Sequence, residues 1–241
     1  MRIGIFVNTP AQLHFYKNIC RRLESHGHKT YIVARDYGET NALLDELRIA
    51  HYIYSRPPVS KLGKVLALPL DVLKAYQYLK SKKVGLVTGF GVYDVCTSKI
   101  LGVPSLIFSD SEPLVNTISY AIQYKLYVPL AGAIITPSSF RQDFGRKQIR
   151  VESYKELAYL HPRYFTPDEG IYGLLGLEKG EDYVLLRFNA FDAVHDFGVG
   201  GFSDADKVRL VEELEKHARV FISSEAGVPG EIKNRVIKIP K

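Results

Sequence analysis

Between Tyr183 and Ser203 the chain reads YVLLRFNAFDAVHDFGVGGFS, and chemically capable side chains crowd into that stretch. His195 is the first catalytic candidate, because an imidazole titrates near neutrality and Asp192 or Asp196 could orient it or hold its charged form. Such a group could act as a general base on a hydroxyl; a cap and loop hydrogen-bond network would use the same residues. Arg187 could grip diphosphate oxygens through its planar fork, or pair with Asp192 or a residue of another lobe. Asn189 is a further binding candidate. Gly198, Gly200 and Gly201 could bring backbone amides up to an anion, although a flexible turn needs the same residues.

A second polar cluster, Ser109-Asp110-Ser111-Glu112, supplies Asp110 and Glu112 as acid or base candidates, with capping of a helix after Pro113 as the alternative. Near the amino terminus, Asn8 and His14 could meet a substrate hydroxyl or phosphate; a half-buried structural role explains His14 as well. Asp192, His195 and Asp196 offer nitrogen and oxygen ligands at tight spacing. No second histidine or cysteine cluster fixes a geometry, so neither a metal nor another cofactor is expected.

What positions these residues is a series of apolar runs that break into polar ends. In an open α/β sheet, ligands bind beyond the carboxyl ends of the strands. Strands are expected at Ile3–Val7, Thr30–Ala34, His51–Tyr54, Val84–Thr88, Ser105–Phe108 and Ala133–Thr136. Helical spacing joins them, over Leu13–His26, Ala42–Arg48, Tyr93–Leu101 and Asn116–Leu130 among others, which is β-α-β order. The first turn, Asn8-Thr9-Pro10-Ala11, lacks the spaced glycines of a dinucleotide fingerprint. Pro69 is expected to break or restart the helix of the basic stretch, and the alternation fails from Arg146 to Pro167. Beyond it, strand Val184–Leu186, helix Asp204–Lys216, strand Arg219–Ser223 and a short strand Val236–Ile239 make a thin layer with one face undercovered. The fold class is therefore α/β, with two Rossmann-like lobes. A complete amino-terminal parallel-sheet lobe spans 1–162, and a short, incomplete second lobe spans 168–241.

At 241 residues the chain can bury one good core or two small ones. No stretch approaches a membrane span, MRIGIFV has no signal-peptide character, and Cys20 and Cys96 read as buried thiols, so a cytoplasmic location is expected. The net charge of +6 is concentrated: seven basic residues lie between Arg56 and Lys83, against Asp71 alone. That stretch reads either as a helix packed on the sheet or as one that also touches an anionic ligand or the inner face of a membrane. The 16 tyrosines are scattered and no module frames them, which disfavours nucleic acid.

The stretches NTPAQLHFYKNICRRLESHGHKTYIVARDYGET, GVPSLIFSDSEP, SYKELAYLHP and LLRFNAFDAVHDFGVGGFS together resemble an archaeal and bacterial family, DUF354. That family is similar to the two-lobed GT-B glycosyltransferases and to the UDP-N-acetylglucosamine 2-epimerases. The resemblance implies a nucleotide-sugar ligand, with the reacting sugar on the amino-terminal lobe and the diphosphate on the other. In the family a histidine usually stands in the place of Ala11, and a Gly-Glu-Gly-Gly-Thr segment follows the position of Lys241. The second lobe therefore reads as truncated. A glycosyltransferase-like protein, a UDP-sugar epimerase-like enzyme, and a split non-catalytic homologue that takes a partner chain are the three expectations.

Overall fold

The computed structural model describes residues 1–56, 61–112, 124–189, 201–225 and 227–237. It divides into two compact units, Met1–Thr166 and Pro167–Lys241. In the first unit, seven strands form one parallel sheet: β1 (Arg2–Val7), β2 (Lys29–Arg35), β3 (His51–Ser55), β4 (Leu86–Gly89), β5 (Ser105–Phe108), β6 (Ala133–Pro137) and β7 (Gln148–Val151). Their spatial order is β3-β2-β1-β4-β5-β6-β7, so the chain reverses its direction of travel across the sheet between β1 and β4. All the pairings are parallel, with Ile5 of β1 opposite Ile32 on one side and Thr88 on the other.

A central parallel strand must be apolar on both faces, and β1 is. Ile3, Ile5 and Val7 pack on one face with Leu13 and Tyr16 of helix α1 (Pro10–Ser25), while Phe6 packs on the other with Ala75 and Leu79 of helix α3 (Lys61–Ser81). Gly4 lies against Leu79: a Cβ there would come within 3.0 Å of its methyl groups. Helix α2 (Thr40–Glu46) adds Leu43 and Leu44 to the first layer, and α4 (Val92–Leu101) sets Val95 against Ile107 and Ile134. Thr9 caps α1, accepting from the Gln12 N–H at 3.3 Å, and Pro10 occupies the first helical position, where its missing N–H costs nothing.

Two expectations need correction. Pro69 does not break α3; the helix runs through it because Val72, Ala75 and Leu79, all buried, anchor the turns that follow. Over 146–167, where the alternation fails, β7 adds an edge strand, and a helical turn, α5 (Leu157–Leu160), folds back so that the Asn18 side chain donates to the Ala158 carbonyl at 3.0 Å. Cys20 is buried, as expected, but Cys96 is only half-buried.

The second unit is smaller. After helix α6 (Gly170–Leu175), β8 (Tyr183–Phe188) pairs in parallel with β9 (Arg219–Ser224), and helix α7 (Asp204–Leu214) supplies the buried Val211 to a core of Phe188, Val220, Ile222 and Ile232. Ser203 caps α7 by accepting from the Asp206 N–H at 3.2 Å. The third strand is a single parallel bridge between Ile222 and Val236, with the Ile237 N–H donating to the Ile222 carbonyl at 2.9 Å; residues 238–241 lie outside the described residues. On the face of β8 away from the core, Leu185 and Arg187 are exposed.

Candidate functional site

The end of β5 and the segment after β7 converge on a cavity of about 250 Å³ in the first unit. Phe15, Phe90 and Phe108 form its apolar floor in edge-to-face contact, Phe15 lying 4.7 Å from Phe108 and 5.1 Å from Phe90 between ring centroids. The polar rim is Asp110, Tyr154 and Lys155. The Lys155 ammonium donates to Asp110 Oδ2 and lies 3.8 Å from Glu156. Burial alone would lower the Lys155 pKa, but the hydrogen bond and charge of Asp110 outweigh it and hold the group protonated.

The His14 ring lies 5.7 Å from that of Tyr159 on α5. Partial burial, reinforced by the Lys17 charge, lowers its pKa below 6.5, so the imidazole is neutral at pH 7 and can both donate and accept a hydrogen bond. Burial raises the Tyr159 phenol, and the neighbouring Glu156 and Asp110 carboxylates push it the same way. Asp110 and Lys155 therefore form a polar edge above an aromatic floor. Such a surface offers rings to an apolar face and a carboxylate and an ammonium to polar groups.

The other candidates are placed less suggestively. Asn8 is held by its neighbours, accepting from the Tyr54 hydroxyl at 2.6 Å while its own N–H donates to Gln12 Oε1 at 2.8 Å. Glu112 accepts the Gln142 N–H at 2.5 Å and so braces the loop after β6. Arg187 forms an ion pair with Glu225 at the end of β9 and is exposed. Asn189 and Gly201 are exposed; Asp192, His195, Asp196, Gly198 and Gly200 lie outside the described residues. Among the described residues no three histidine, cysteine or acidic side chains gather as metal ligands.

Lys155 and Tyr159 are absent from the candidates drawn from sequence, because they sit where the strand-helix alternation fails. The signal was present in SYKELAYLHP, a motif set apart by resemblance but carrying no obvious catalytic pair. Asp94 was missed for a different reason. It is fully buried at the third residue of α4, accepting the Gly91 N–H at 3.1 and 3.0 Å through its two oxygens. Nothing in the sequence separates it from a surface acid.

The chain shares the fold of UDP-N-acetylglucosamine 2-epimerases and of GT-B glycosyltransferases. It superposes on a UDP-N-acetylglucosamine 2-epimerase from Rickettsia bellii with a TM-score of 0.69, at 12% identity, over 100% of this chain and 68% of that one. The enzyme of the same name from Neisseria meningitidis, bound to UDP-GlcNAc, gives 0.66 at 10% identity, over 100% and 73%. The glycosyltransferase SsfS6 of Streptomyces sp. SF2575, complexed with thymidine diphosphate, gives 0.52 at 13% identity, over 93% and 68%. The chain spans between 62% and 73% of the length of eight similar solved structures, these three among them. No protein-family model matches it, and no curated protein sequence matches it.

Proposed function

We propose that the chain binds a nucleotide-sugar and belongs to an enzyme of the glycosyltransferase or UDP-sugar 2-epimerase type, within the DUF354 family. The observation that carries this reading is the Asp110–Lys155 pair above the Phe15, Phe90 and Phe108 floor, on the fold those enzymes share. Met1–Thr166 holds the sugar. The Asp110 carboxylate, paired with Lys155, accepts a hydroxyl hydrogen, and neutral His14 bonds a second hydroxyl. Pro167–Lys241 contributes to the nucleotide; there His195 with Asp192 is the proposed acid-base pair, and loss of turnover in His195→Ala tests it.

Calorimetric titration with UDP and UDP-N-acetylglucosamine tests the sugar site. Asp110→Asn and Lys155→Ala should each weaken UDP-N-acetylglucosamine binding at least tenfold while leaving UDP binding within about twofold, since each removes a charge-assisted bond of about 1.5–3 kcal/mol. No heat with either nucleotide, or equal losses for both, would count against the assignment.

A second surface has its own observation. Leu66, Leu70 and Leu73 are exposed along one stripe of α3, and Lys74 and Lys80 are exposed on the same helix. We propose that this stripe rests on an anionic membrane surface.

A further inference from the structure

Toward the amino ends of β2 and β3, beneath α1, lies a cavity of about 290 Å³. Lys17, Arg21 and Glu24 of α1, Thr30 and Ile32 of β2, and the turn 47–50 that leads into β3 line it. Arg48 enters from that turn, so three cations border the cavity against the single carboxylate of Glu24. Lys17 and Arg21 are four residues apart on one helix, a spacing at which like charges repel. Glu24 accepts the Thr30 hydroxyl, and Asp45 of α2 faces His51 at 3.9 Å. Among the described residues, none of the three cationic side chains forms a hydrogen bond or an ion pair. Arg48 is also held in the left-handed region, with φ 53°, where its N–H donates to the Asp45 carbonyl at 3.0 Å and the Ile49 N–H donates to the Leu44 carbonyl at 2.9 Å. Glycine usually ends a helix in this way, because a Cβ is crowded there.

An arginine thus stands where the backbone disfavours it, at a cavity that two further cations line without an internal counter-charge. We propose that this cavity binds the phosphate of a small phosphomonoester. A dianion with three terminal oxygens gives Lys17, Arg21 and Arg48 one shared counter-charge, and the guanidinium forks match its oxygens. A carboxylate, with one charge and two oxygens, would leave the cluster unbalanced. Ligand sites span roughly 300–1,000 Å³, and this cavity lies at the small end, so the organic part of the ester is short and packs on Ile32 and Ile49. Asp110 and Lys155 belong to the opposite, carboxyl edge of the sheet, and the phosphate site does not depend on the nucleotide-sugar reading.

The test is titration of the whole chain with glycerol 3-phosphate, inorganic phosphate, glycerol and acetate at constant ionic strength, followed by calorimetry and thermal unfolding. Glycerol 3-phosphate and inorganic phosphate should bind and raise the unfolding temperature, whereas glycerol and acetate should do neither. Lys17→Gln and Arg21→Gln should each weaken glycerol 3-phosphate binding at least tenfold. Arg48→Gly should weaken it as much, yet the free variant should unfold at or above the temperature of the unaltered chain, because glycine relaxes the left-handed turn. Loss of binding in a variant of undiminished stability cannot come from misfolding. UDP-N-acetylglucosamine affinity should be the same in Arg48→Gly as in the unaltered chain. The proposal is overturned if glycerol 3-phosphate does not bind beyond the effect of sodium chloride, if acetate binds as well, if Arg48→Gly binds glycerol 3-phosphate like the unaltered chain, or if that variant loses UDP-N-acetylglucosamine instead.

Discussion

Asp94 governs the turn between β4 and α4. Complete burial pushes its carboxyl up to about 7 from 3.8, against the opposing effect of the backbone N–H groups that it accepts. A Cβ on Gly89 would overlap this carboxyl, so the glycine and the acid are fitted to one another. Because the folded state keeps the proton that the unfolded state loses, Asp94 lowers stability progressively from about pH 4 to about pH 7. At about 1.36 kcal/mol per unit the penalty above pH 7 is on the order of 4 kcal/mol. Asp94→Asn keeps an acceptor for Gly91 and should flatten this part of the stability profile. Urea unfolding at pH 4.5 and pH 8 checks it: the variant should gain on the unaltered chain at pH 8 and show little difference at pH 4.5.

Helix α3 carries an internal proline whose missing N–H leaves the Val65 carbonyl without its helical donor. Pro69 is exposed, so Pro69→Ala should repair the ladder without disturbing the core and raise stability by about 1–3 kcal/mol, read as a higher urea midpoint. The same helix should bind vesicles containing phosphatidylglycerol and release them as salt rises; replacing Lys61, Lys64 and Lys74 by Gln should weaken the binding. Equal binding to neutral and anionic vesicles would refute the electrostatic part. Strands such as Ile3–Val7 and Thr30–Ala34 were legible because burial on both faces demands unbroken apolar runs. Edge strand β7 was not: QIRV is short, and Arg150 spends its charge on the Gln142 carbonyl at 3.0 Å, a contact that only folding reveals. The site divides likewise. Asp110 could be read from a polar cluster ending an apolar run, whereas Lys155 reaches it from 45 residues downstream through irregular chain.

The two units differ in how much they can bury for themselves. Among the described residues, Met1–Thr166 has three apolar clusters around seven strands, while Pro167–Lys241 has a two-stranded sheet and one cluster. Two strands give marginal stability. Thermal unfolding should therefore show two steps, the smaller coming first, and limited proteolysis at intermediate temperature should leave a fragment ending near Thr166. A single transition with no such fragment would mean that the units unfold together. The strand order has a consequence during synthesis. β1 acquires β2 within 35 residues but waits for β4, which begins at Leu86, so a strand buried at all but its first residue spends much of translation with one edge unpaired. A ribosome paused between β3 and β4 would present that open edge to every neighbouring nascent chain, and the rate of elongation through α3 thereby becomes a determinant of yield.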